Sequence, residues 1–166
     1  MNTKVKSLIY CSLGACMIAV GAQLSIVLPM TVVPITMQTL SVYVIACLYE
    51  RKQAVLACLI YLLLGAVGLP VFAGFSGGIF SLIAPTGGYL VALPVMAFVI
   101  GKLLKRKSIA LIVGTIVCYT LGTLWFMFCM KMTLLPALTL CVFPFLIGDT
   151  LKIVLTILIT KRIRKL

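Results

Sequence analysis

The chain has 166 residues, of which 64% are hydrophobic and 10% charged, with a formal net charge of +12. No water-soluble globule covers that much apolar surface, so the composition excludes one and calls for an integral membrane protein. The charge does not indicate nucleic acid, because the basic residues stand as punctuation between apolar runs, where anionic headgroups meet them.

One crossing of the hydrocarbon core takes about 20 residues, so the chain has room for about six with their connections. The first run, Leu8 to Leu28, stops at Pro29 and leads into "PMTVVPITMQTL". With no cleavage-site context behind it, this run reads as a retained helix and not a signal peptide. Pro34 is placed to open the second span, Ile35 to Tyr49, since its missing N–H is not needed in a first turn. The third span, Ala54 to Leu69, ends at "GLP", where Gly68 and Pro70 stop a helix.

The tract that follows is too long and too glycine-rich for one plain helix. It divides into an external segment, Val71 to Ala84, and a fourth span, Pro85 to Leu104. Irregular backbone near membrane depth is tolerated only where protein buries it or it lines a cavity. The fifth span is Ile109 to Met130 and the sixth Leu140 to Thr160.

Of the fourteen Lys and Arg, twelve fall in alternate connections: Lys4, Lys6, Arg51, Lys52, Lys102, Lys105, Arg106, Lys107, Lys161, Arg162, Arg164 and Lys165. By the positive-inside rule this predicts an all-α bundle of six transmembrane helices, one domain over residues 1–166, with both termini cytoplasmic. An odd number of spans would place one basic end on the wrong side.

Several chemistries lack their residues. Histidine is absent, the acids are Glu50 and Asp149 alone, and the seven cysteines lie almost all within apolar runs without paired spacing, so a zinc site has no ligand set. No nucleophile stands beside an evident base, so catalysis is not expected. No ATP-binding motif is present either, and uphill transport would need energy from another chain.

Four places carry polar chemistry. Asp149 and Lys152 lie one turn apart on one face of the sixth span. Burying a lone charge there costs about 2.5 to 3.5 kcal/mol or more, so both should face the bundle interior. They either pair only with each other or hold a polar ligand that needs one acceptor and one donor group. Since a buried pair can often be replaced by apolar residues without loss, stability alone explains it poorly.

The second place is "FSGGIFSLIAPTGGY", in which Gly77, Gly78, Gly87 and Gly88 let backbone approach closely. Phe72, Phe75, Phe80 and Tyr89 offer flat apolar walls there, and Ser76, Ser81 and Thr86 offer hydroxyls. Gln38, with Thr36 and Thr39 beside it, is the third: it caps or bridges helices, or its amide reaches a ligand. In the first span Ala15 and Ala19 form a small-xxx-small pair, fit either for internal packing or for a partner membrane protein.

"VPITMQTL", "YLLLGAVGLPVFAGFSGG", "PTGGYL" and "FPFLIGDTLK", in that order and spacing over residues 30–155, resemble the signatures of the BioY family, the biotin-binding substrate components of energy-coupling factor (ECF) transporters. The resemblance implies a six-helix protein of the bacterial cell membrane that captures biotin from outside. It also implies partners: a transmembrane coupling (T) protein docked through the first helix, here at Ala15 and Ala19, and two cytoplasmic ATPases.

Biotin is then the transported ligand and no cofactor is expected. By the same resemblance Asp149 accepts from the ureido N–H groups, while Lys152 donates to the ureido oxygen or to the carboxylate. Gln38, Ser76 and Tyr89 are the next ligand contacts, with Phe75, Thr86 and Gly88 around them. One departure stands out: some family members carry an asparagine and an arginine in the third-to-fourth helix region, and neither occurs between Val71 and Gly101 here.

Overall fold

A computed structural model gives the fold and describes residues 3–26 and 33–163. The expected end of the first run at Leu28, the stop at Pro29, and the basic residues Arg164 and Lys165 lie outside the described residues.

Each of the six apolar runs contains a helix: α1 (Thr3–Gln23), α2 (Gln38–Leu48), α3 (Arg51–Ala66), α5 (Gly87–Lys102), α6 (Lys107–Met130) and α8 (Phe143–Ile163), with short helices α4 (Ile79–Ile83) and α7 (Leu134–Cys141) between them. Among the described residues, three stretches are long and apolar enough to cross a membrane, by length and composition: Lys4–Gln23, Leu104–Met130 and Phe143–Ile163. The others are shorter, and α2, with 11 residues, is the shortest of the six. At 1.5 Å per residue α2 rises roughly 16 Å, about half the hydrocarbon thickness. Gln38, which opens α2, is buried within the bundle.

Several boundaries differ from the sequence reading, each for a local reason. Pro34 does not open α2. The β-branched pair that follows it, Ile35 and Thr36, forms a two-residue strand antiparallel to Ser25–Ile26 (Ser25 opposite Thr36), and the Met37 N–H donates to Leu24 O at 3.0 Å. Helix α3 starts three residues early, at Arg51, and α1 begins at Thr3. The sixth run is not one helix: the backbone breaks at Val142, just before Pro144 enters the first turn of α8, where its missing N–H is harmless. The fifth ends as expected at Met130, with Lys131 in the left-handed conformation (φ 52°) as its stop.

Small residues set the tightest crossings. Between α1 and α3 a Cβ added at Gly14 would stand 2.8 Å from Ala57 Cβ, and between α5 and α6 one at Gly122 would enter the Tyr89 ring. The main core gathers Ile18, Tyr43, Ile45, Tyr61, Met96, Ile100 and Leu111 from five helices. Outward, large apolar side chains such as Leu8, Leu63, Ile116, Ile147 and Leu158 are exposed, as a bundle solvated by hydrocarbon requires.

Candidate functional site

A cavity of about 370 Å³ lies among α2, the segment between α3 and α5, α5, α6, α7 and α8. Its size falls at the small end of ordinary ligand pockets, roughly 300–1,000 Å³. The polar heart of its lining comes from α8. Asp149 and Lys152 are each 5% exposed, and Lys152 Nζ donates to Asp149 Oδ1 at 2.6 Å. Three residues is a little under one turn, so helix geometry alone brings the two side chains together.

Tertiary structure adds a partner to each. Tyr119 of α6 donates its hydroxyl to Asp149 Oδ2 at 2.6 Å, and Lys152 donates a second N–H to Thr39 Oγ1 of α2 at 3.0 Å. An ammonium has three donors and a carboxylate about four acceptor sites, so these contacts leave one donor and about two acceptor positions over. Among the described residues, every buried side-chain nitrogen and oxygen has a hydrogen-bond partner. The charged pair is therefore compensated by its protein partners, which offsets the cost of taking it out of bulk water.

Of the residues singled out from the sequence, Asp149, Lys152, Gln38, Ser76, Thr86 and Tyr89 all line this cavity, as do Thr36 and Thr39. Gln38 is 6% exposed and donates to Tyr61 Oη at 3.2 Å. The Ser76 hydroxyl donates to Ala73 O at 2.9 Å, within its own loop. Tyr89 donates to Cys141 O at 3.4 Å and lies 3.0 Å from Thr123 Oγ1, so its hydroxyl is tied to α6 and α7.

Two of the expected contacts lie elsewhere. Phe75 is not in the lining: it points outward, 73% exposed, in a left-handed turn that swings the ring away. Phe72, three residues earlier, lines the cavity in its stead, its ring edge-on to Tyr61 (centroids 5.4 Å apart) and lying over Gly65, where a Cβ would collide with it. Gly88 is also outside the lining. It is buried against Trp125, so its missing side chain serves the α5–α6 contact. Ala15 packs inside the core and Ala19, partly buried, against the same core. The exposed face of α1 carries Leu8, Leu13, Met17 and Val20.

Tyr119, Tyr43 and Thr115 were not among the residues expected at the site. Tyr43 Oη and Thr115 Oγ1 are 2.5 Å apart, and all three residues line the cavity. The available signal was a tyrosine inside an apolar run, whose hydroxyl must find a partner wherever it is buried.

Comparisons with known proteins agree with one another. The model of the BioY family matches residues 1–166. Biotin transporter BioY2 of Lactococcus lactis subsp. cremoris is 40% identical over 161 residues, covering 93% of this chain and 87% of that protein. Biotin transporter BioY of Thermotoga maritima is 37% identical over 168 residues and covers 98% of each. Among solved structures, the S-component for biotin from an ECF-type ABC transporter superposes with a TM-score of 0.90 at 30% identity, covering all of this chain and 95% of that one. A helical membrane bundle with a charged pair buried in its cavity, and a family match along the whole length, lead to one conclusion: this chain belongs to the BioY family.

Proposed function

We propose that this chain is the biotin-capturing substrate component of an ECF-type transporter and not an enzyme. In this reading it is a single unit of six spans in a bacterial cell membrane, both termini cytoplasmic, worked by a separate transmembrane coupling protein and two ATPases. The observation that carries the ligand assignment is the Asp149–Lys152 pair in the cavity lining, with acceptor and donor capacity left after its protein partners are counted. A cyclic urea needs both: its two N–H groups seek acceptors, which Asp149 supplies, and its oxygen seeks a donor, which Lys152 supplies. The rest of the lining suits an apolar fused ring, with Phe72, Leu93 and Met96 beside Tyr43 and Tyr89.

For the ligand's carboxylate the proposed contacts are the polar groups nearer the irregular segment, Ser76 and Thr86, with Gln38 beside them. The absence of Arg and Asn between Val71 and Gly101 makes hydroxyls and backbone N–H groups the donors available there.

The test is calorimetric titration of the purified protein with biotin, together with mass spectrometry of any ligand that co-purifies. Biotin binding that Asp149→Asn abolishes while the helical fold persists is the expected result. A folded native protein that takes up no biotin, or takes up another vitamin instead, overturns the assignment.

A further inference from the structure

The geometry points to Gln23, the last residue of α1, as the positioning residue that holds the 70–76 segment closed on the cavity and thereby sets how long a bound ligand stays. The inference rests on the biotin reading for the identity of that ligand. Gln23 makes three bonds to one short stretch of backbone: its Nε2 donates to Phe72 O at 3.1 Å and to Pro70 O at 3.4 Å, and its Oε1 accepts from the Phe75 N–H at 3.0 Å. The partners fix the amide's orientation, since two carbonyls need the NH₂ and an N–H needs the oxygen.

The segment's remaining bonds are mostly internal. Phe72 N–H donates to Ser76 O at 3.0 Å and the Ser76 hydroxyl to Ala73 O, which preserve its shape but not its position. Position comes from Gln23, from the Phe72 ring against Tyr61 and Gly65, and from the Gly78 N–H donating to Gly65 O at 2.7 Å. Glycines at positive φ flank the segment, Gly68 at 109° and Gly78 at 92°, where the chain turns without strain.

Inside the segment Gly74 also turns at positive φ (68°), but the residue that follows it is not a glycine. Phe75 has φ 55°, a conformation that an aromatic L-residue seldom adopts and that persists only where the surroundings impose it. Its exposed ring has little packing to impose anything, and the bond that grips its own N–H is the one from Gln23. Removing Gln23 therefore frees Phe75 to relax, and the relaxation moves Phe72, Ala73 and Ser76, the three members of the segment that line the cavity. Gln23 itself is not in the lining, so changing it removes no ligand contact.

The experiment compares the native full-length protein with Gln23→Met, which keeps the length and loses every bond, and with the milder Gln23→Glu, which keeps the acceptor but sets a carboxylate against two carbonyls. Biotin association and dissociation rates are read along with amide hydrogen exchange at Phe72 and Phe75 in the unliganded protein. The expected result for Gln23→Met is dissociation faster by about ten-fold or more, and faster exchange confined to the segment. A merely structural loss would shrink the fraction able to bind while leaving the dissociation rate of the bound fraction unchanged, and that result overturns the proposal. So does unchanged release with faster exchange. If Gln23→Met does not fold, the same two readings on Gln23→Glu decide. If the native protein binds no biotin, the biotin reading fails, and unchanged exchange would separately refute the latch.

Discussion

Replacing Lys152 by methionine removes the ammonium but keeps the stem, leaving Asp149 buried beside Tyr119 without its 2.6 Å partner. An orphaned buried charge costs about 3–5 kcal/mol. Replacing both members, as Asp149→Leu with Lys152→Met, removes the charge along with its partner, and such exchanges are often neutral or better. The double variant also strands the hydroxyls of Tyr119 and Thr39, each of which had one bond to the pair. Both residues line the cavity, where water can replace the lost bonds, so the double variant should lie within about 2 kcal/mol of the native protein. Reversible unfolding in detergent measures the three stabilities, and biotin titration measures what function survives. The expected pattern is an unstable single variant, a nearly native double variant, and no biotin binding by either. A double variant as unstable as the single would refute the desolvation reasoning and favour a pair kept to hold α8 in place. A double variant that binds biotin normally would remove the pair from the site.

Tyr119→Phe deletes one hydrogen bond to a charged group and should weaken biotin binding about ten-fold, by letting the Asp149 carboxylate turn; unchanged affinity would show that Lys152 orients Asp149 unaided. Gly65→Ala drives a methyl into the Phe72 ring and should cost about 1–3 kcal/mol and loosen binding, because the ring has to leave the cavity wall. Native stability and affinity in that variant would contradict the placement of Phe72. Gly88→Ala pushes instead against Trp125, away from the lining, and should cost about 1–3 kcal/mol in thermal or chemical unfolding while the folded fraction binds biotin within a factor of about two of the native protein.

Membrane residence, the six apolar runs and the charged pair were legible in the chain because each is a local property. Hydropathy needs only composition within a window, and the meeting of Asp149 with Lys152 needs only the rise and turn of one helix. Gln38 was legible for a related reason, as an amide opening an apolar run. Which other groups complete the site was a matter of helices crossing. Tyr119 reaches Asp149 across 30 residues, Tyr43 reaches Thr115 across 72, and Thr39 reaches Lys152 across 113. Nothing periodic in one segment records such distances.

The aromatic and small residues divide the same way. Four aromatic residues near paired glycines looked equivalent as walls, yet Phe75, in the left-handed turn that follows Gly74, and Phe80 are both exposed, and only Phe72 and Tyr89 of the four line the cavity. Ala15 and Gly88 were recognisable as places of close approach, and only the packed bundle decided that they meet the protein's own core and Trp125. The chain alone determined which surfaces must be buried, because transfer from water is additive along a sequence. The tertiary structure decided what each buried group touches, because contact depends on where separate helices cross.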